Sequence, residues 1–111
     1  MTARARRLDR TLAALADPNR RAVVDLLREG PRRAGELADA VAVPFPTMSR
    51  HLRTLRENGL VEEQRDAVDS RVRIYRLRSK PMSELKAWLE ETETLWSEQL
   101  TALRTHLNRK R

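Results

Sequence analysis

Residues 34–60 read AGELADAVAVPFPTMSRHLRTLRENGL: a short helix, a tight turn, a second helix and a glycine stop. Leu37, Ala38 and Val41 fall at helical spacing in the first half, and Met48, Leu52 and Leu55 form one apolar stripe at i, i+4 and i+7 in the second. Two helices this short bury little by themselves, so each must lean on a third element. The face opposite Met48 carries Thr47, Arg50, Arg53 and Thr54. A short helix exposing arginines and small hydroxyl residues suits the major groove of DNA, which admits one helix.

Upstream, a first helix is expected from about Arg6 to Ala16, with Leu8, Leu12 and Leu15 on one side. Asp17-Pro18 signals a break and restart, with Asp17 as N-cap and Pro18 at the first helical position. The helix that follows turns Ala22, Val23, Leu26 and Leu27 inward and is expected to stop at Gly30-Pro31. Downstream, Leu60 to Gln64 and Val72 to Leu77 read as two short strands. The charged stretch Arg65 to Arg71 lacks glycine and predicts a hairpin longer than a two-residue turn.

Lys80-Pro81 restarts the chain as its longest helix, about 82–107. Leu85, Trp88, Leu89, Thr92, Leu95, Trp96, Leu100, Leu103 and Leu107 keep helical spacing through it. A domain this small has no core deep enough to cover that whole stripe. The remainder is expected to pair with a second copy, together with the first helix, through Leu8, Leu12, Trp88, Leu95, Trp96 and Leu103. Trp88 and Trp96, nearly on one face, read as core and dimer seam rather than a ligand box.

The 111 residues make one domain with a formal charge of +7 and a pI near 11.1. Residues 1–79 hold 17 bases against 11 acids, so the positive field is strongest there. Only Lys80, Lys86 and Lys110 are lysines. The arginine bias fits nucleic acid, whose phosphates and guanine edges match a planar fork, and fits a GC-rich genome as well. With no cysteine, disulfides, thiol sensing, thiolate metal sites and a cysteine nucleophile are excluded. No apolar run approaches 18 residues and no signal-peptide pattern is present, so no membrane partner and a soluble, cytoplasmic protein are expected. There is no carboxylate pair, no Ser/His/Asp set and no glycine-rich phosphate loop, so neither an enzyme nor a cofactor is expected.

The strings LADPNRRAVVDLLREGP (15–31), AGELADAV (34–41), MSRHLRTLRENGLV (48–61) and RIYRL (73–77), in that order and spacing, resemble the ArsR/SmtB family of regulators. The resemblance covers nearly the whole chain. It implies a mainly α fold with a two-stranded β wing: a winged helix-turn-helix with its recognition helix at about 45–58, its wing at about 60–78 and dimerisation through the first and last helices. It also implies a homodimeric transcriptional repressor on double-stranded DNA, at an operator of dyad symmetry. The family's metal-sensing positions lack ligands here: no cysteine stands near Leu37 to Asp39, and the closing helix offers only His106. The resemblance is therefore to small members that do not sense metal, and the inducer is unknown. For an effector, the space between paired closing helices is the first place to look.

Against the family's usual Ser, Gln and small residue or proline, this chain has Pro44, Phe45 and Pro46. Phe45 cannot hydrogen-bond a base edge; it either meets a thymine methyl or plugs the turn. Arg50 is the expected guanine contact, with a phosphate or solvent as the bland alternative. Thr47 and Ser49 touch DNA oxygens or cap the chain locally. His51 packs beside the stripe or meets a phosphate, and Arg53 and Arg56 suit phosphates. Arg65, Arg71 and Arg73 in the wing follow the DNA backbone or enter the minor groove. The competing function is a winged-helix module that contacts protein through Phe45 without reading DNA.

Overall fold

The computed structural model of the chain describes residues 1–109. Its elements run α1 (Ala3–Ala14), α2 (Pro18–Leu27), β1 (Arg32–Arg33), α3 (Ala34–Val41), α4 (Phe45–Glu57), β2 (Val61–Arg65), β3 (Arg73–Leu77) and α5 (Ser79–Arg109). One core joins Val23, Val24 and Leu27 of α2, Leu37 and Ala38 of α3, and the Met48, Leu52, Leu55 stripe of α4. Leu60, Val61 and Tyr75 close it from the sheet side, and Ala14 from α1. On α2, Val24 occupies the buried place that the spacing assigned to Ala22, and the helix ends at Leu27, before Gly30. Asp17 caps it, accepting the Asn19 and Arg20 N–H groups at 2.8 and 3.1 Å. The hydrogen bond from Arg20 leads the causes that hold this carboxyl below its ordinary value.

α1 departs from its expected register. Thr2 caps it, accepting the Ala5 N–H at 3.1 Å, so the helix begins at Ala3 rather than Arg6. It ends at Ala14, where side chains from α2 take its last carbonyls: Arg20 donates to Ala14 and Arg21 to Leu15, each at 2.7 Å. The row turned inward is Leu8, Thr11 and Ala14, not Leu8, Leu12 and Leu15. Leu8 is only 8% exposed in the single chain, whereas Leu12 is 44% exposed. Assigning Leu8 to a dimer surface is therefore wrong. The small Thr11 and Ala14 let α1 lie close on the body, and Leu8 is covered within its own protomer.

The sheet has three strands rather than two, in the order β1-β3-β2 and antiparallel throughout. Arg32 faces Tyr75 and Arg33 faces Ile74; on the other edge the register runs from Val61↔Leu77 to Arg65↔Arg73. The loop over 66–72 holds its shape without glycine. Asp66 accepts the Val68 and Asp69 N–H groups at 2.7 and 3.2 Å, and Asp69 accepts that of Arg71 at 3.0 Å. Such carboxylate turns mimic a backbone turn. These two acids are the scaffold of the wing loop.

Between α3 and α4 the chain turns at Ala42, which sits in the left-handed region at φ 61° and ψ 48°. A side chain there costs about 1–2 kcal/mol, while glycine adds about 0.5–1 kcal/mol of unfolded-state entropy to be lost. Ala42→Gly is thus expected to stabilise the protein by roughly 0.5 kcal/mol in urea unfolding. A destabilisation would show that the turn is not strained.

α5 opens with Pro81 in its first turn, where the missing N–H is tolerated. Its early part packs along α1, tied by Arg4–Glu91 at 3.0 Å and Arg7–Glu84 at 2.9 Å. Leu85, Trp88 and Thr92 are half-buried, but no residue of this helix is fully buried. Beyond Thr92, Leu95, Trp96, Leu100, Leu103 and Leu107 are all more than half exposed. The long axis of the molecule, 71 Å against 29 and 23 Å, reflects a helix of about 46 Å outgrowing its domain.

Candidate nucleic-acid interface

Burial of Met48, Leu52 and Leu55 fixes the roll of α4 and so decides which of its side chains face out. At 100° per residue Arg50 lies about 165° from the mean direction of that stripe, and Arg53 about 135°. Both are exposed, and among the described residues neither has an ion-pair partner. Thr47 and His51 sit on one flank, half-buried. His51 lies near Asp17, adding to the charges that favour that carboxylate. Ser49 lies on the opposite flank, exposed toward the wing.

Pro44 caps α4 with no side-chain acceptor, and Pro46 stands in its first turn. Phe45 does not plug the turn: its ring is 56% exposed and belongs to no part of the core. The apolar space behind the turn is already filled by Val41 and Val43, which pack on the core. The ring instead lines an open groove of about 810 Å³ between α4 and the wing. Ser49, Arg53 and Arg56 continue the same wall, and Arg71, Val72 and Arg73 face them. The fold thus gathers Phe45, Ser49, Arg53, Arg71 and Arg73 around one groove, with Arg50, Thr47 and His51 further round α4.

Two of the wing arginines, Arg71 and Arg73, are not free cations. Arg71 grips Asp69 with two nitrogens at 3.1 Å, and Arg73 pairs with Glu63. Glu63 also takes Arg56 of α4 and the Tyr75 hydroxyl, the latter at 3.1 Å. One carboxylate therefore links the recognition helix to the wing. Burial pushes the Glu63 pKa up, but the hydrogen bonds from Arg73 and Tyr75 and the charges of Arg73 and Arg56 outweigh it and hold the group below its ordinary value. The sequence carries a signal for this hub that periodicity alone would have found. Glu63 stands two residues after the buried Val61, on the inward face of β2, where a carboxylate needs a partner.

Stability from Glu63 is full above the ordinary carboxylate value of 4.5 and is lost as pH falls through the lower folded-state value. Glu63→Gln is expected to cost about 1 kcal/mol at pH 7, since its arginine partners are half-exposed and screened. The variant should also show a shallower loss of stability below pH 4.5 than the parent in urea unfolding. Parallel acid limbs for the two proteins would remove Glu63 from this role.

Residues 15–64 match the family model described as a helix-turn-helix domain. The chain is 36% identical over 93 residues to the HTH-type transcriptional regulator Rv2034 of Mycobacterium tuberculosis, covering 84% of this chain and 81% of that protein. Its fold matches the crystal structure of an ArsR family transcriptional regulator, RHA00566, with TM-score 0.75 and 32% identity over 87% of this chain and 97% of that one. The chain belongs to the ArsR family. Two further proteins are similar to this chain. The HTH-type transcriptional repressor SmtB of M. tuberculosis is 46% identical over 66 residues, 60% of this chain and 47% of that protein. A homodimeric winged helix-turn-helix DNA-binding domain from Mycobacterium bovis, described as a possible ArsR-family regulator, matches with TM-score 0.65 and 26% identity, over 89% and 93% of the two chains. In this ArsR chain α3 and α4 form the helix-turn-helix, and β2, β3 and the loop between them form the wing.

Proposed function

We propose that the chain is a sequence-specific DNA-binding transcriptional repressor acting as a homodimer on a dyad-symmetric operator. The observation carrying it is the outward face of α4, where Arg50 and Arg53 project, without ion partners among the described residues, from a helix locked by its buried stripe. The names of the relatives support the same reading. Arg50 is the base reader, a fork to guanine O6 and N7, and Phe45 meets a thymine methyl at the near end of the helix. Ser49, Thr47 and Arg53 hold phosphate or sugar oxygens, with His51 on the flank. Arg71 and Arg73 approach the DNA backbone from the wing, each exchanging part of a carboxylate contact for a phosphate.

The second copy joins through Leu12 of α1 and through Leu95, Trp96 and Leu103 of α5, whose exposure supports the pairing, and through the half-buried Trp88. The whole chain acts as one domain in the cytoplasm. No catalytic step is assigned to it. Among the described residues no helix is long and apolar enough to cross a membrane.

A gel-shift on the DNA upstream of its own gene, repeated across salt, tests this function. Six to ten phosphate contacts would lower affinity roughly 10³- to 10⁵-fold between 50 and 200 mM salt. No shift at low salt, or an equal shift on random DNA of the same length, would reject operator binding.

A further inference from the structure

A second cavity lies at the foot of α5, beside the C-terminal end of α4. It has a volume of about 230 Å³ and is bounded by α1, the last turn of α4 and the start of α5. Four cations surround it, Arg7, Arg10, Arg78 and Lys80, against two acids, Glu57 and Glu84. Arg7 is occupied, its Nε donating to both Glu84 oxygens at 3.1 and 2.9 Å. Arg10, Arg78 and Lys80 have no side-chain partner among the described residues.

Thr11 is the independent sign that the cavity is built for a ligand. It lines the cavity and is only 2% exposed, and among the described residues it is buried outside the hydrophobic core set. Threonines inside a helix commonly return their hydroxyl to the carbonyl four residues back. Thr92 and Thr94 do so here, at 2.8 and 2.9 Å. The Thr11 hydroxyl makes no such bond and finds no other partner among the described residues, yet no fully buried polar side-chain atom is left unsatisfied. Its oxygen is therefore not wholly covered, and the residue that carries it lines the cavity.

We propose that this cavity binds a small dianion, an inorganic phosphate or a compact phosphate- or dicarboxylate-bearing metabolite, between Arg10, Arg78, Lys80 and the Thr11 hydroxyl. The volume equals roughly seven or eight water-sized groups, enough for phosphate with a short substituent. Guanidinium forks and a lysine ammonium are the donors such oxyanions take. On α1, Leu12 lies about 140° and 160° round the helix from Arg7 and Arg10, so a second copy seated on Leu12 does not itself cover these two arginines. The site joins the recognition helix to α1 and α5. An occupant that favours one spacing of these three helices shifts operator affinity by its differential affinity for that spacing.

The test is an amide NMR titration of the full chain, without DNA, using inorganic phosphate and separately malonate at constant ionic strength. At least one probe should saturate with a Kd near 1 mM or tighter, moving Thr11 and Asn58. Saturation by phosphate alone identifies a phosphoryl ligand, and saturation by both identifies the wider dianion class. Thr11→Val should weaken binding at least threefold with its thermal midpoint unchanged or raised, because the hydroxyl bonds nothing in the protein. Arg10→Gln combined with Arg78→Gln should weaken it at least tenfold, and Arg53→Gln should leave it unaltered. Shifts that never saturate, or that centre on the wing groove, overturn the proposal. So does a double variant that binds both anions as tightly as the parent, since those arginines would then not hold the ligand. Because no DNA is present, failure here leaves the operator reading standing, and failure of the gel-shift leaves this site standing.

Discussion

Replacing Trp96 and Leu103 together by glutamate is expected to give a folded monomer whose operator affinity has fallen at least about 100-fold. Both side chains stand on the far half of α5, more than half exposed, where the chain's own core does not reach. A second copy supplies the only cover that a repeating apolar face of this length can find in a symmetric assembly. Four carboxylates brought to that seam in a dimer would each need desolvation without a partner, which no pair of small faces can offset. The winged part should survive, because its core draws on α2, α3, α4 and the sheet, with only Met82 packing against it from α5. The loss at the operator comes from linkage. Two tethered recognition helices bind with an effective concentration in the millimolar range, and separate chains lose that advantage. Light scattering coupled to gel filtration should return 12.9 kDa for the variant and twice that for the parent. A variant that stays dimeric, or a monomer that binds the operator as tightly as the parent, would refute the arrangement.

Arg50→Ala should lower operator affinity about 10- to 100-fold, matching the 1–3 kcal/mol that a bidentate base contact contributes to discrimination. Binding to random DNA should change little. Arg53→Ala should weaken both DNAs to a similar degree and reduce the salt slope by about one. The contrast follows from their directions on α4. Arg50 points almost straight away from the buried stripe, whereas Arg53 leans toward the wing and lines the groove beside it. Arg50→Lys separates charge from shape: it keeps the cation and loses the fork, so it should recover random binding without discrimination. Equal losses on both DNAs for Arg50→Ala and Arg53→Ala would place Arg50 on a phosphate.

Much of the helix-turn-helix was legible because its signals are local. Met48, Leu52 and Leu55 announce a helix and its inner face by spacing alone, and burial in the fold follows that spacing. Asp17-Pro18 marks a helix start through a single cap, and Gly59, at φ 78°, marks a stop that disfavours a Cβ. β1 was not legible: two residues carry no period, and Arg32-Arg33 become a strand only because β3 offers a free edge. The roll of α1 is not legible in the sequence for a related reason. Leu8, Leu12 and Leu15 form a fair apolar row, but a row does not say whether its cover comes from the same chain or a second one.

The arginines show where sequence stops and tertiary structure takes over. Composition and pattern determined the order of elements, the inward stripe of α4, a basic wing-bearing half and a closing helix too apolar for its domain. They could not say which guanidinium groups remain available. Folding commits Arg20 and Arg21 to the end of α1, Arg32 to the Leu26 carbonyl and Glu29, and Arg56 and Arg73 to Glu63. Arg50 and Arg53 are left outward without ion partners. A helix or a cap is decided within a few neighbouring residues, and that information lies along the chain. The partner of a long charged side chain is whatever the packed elements bring within a few ångströms, which exists only once the chain has folded.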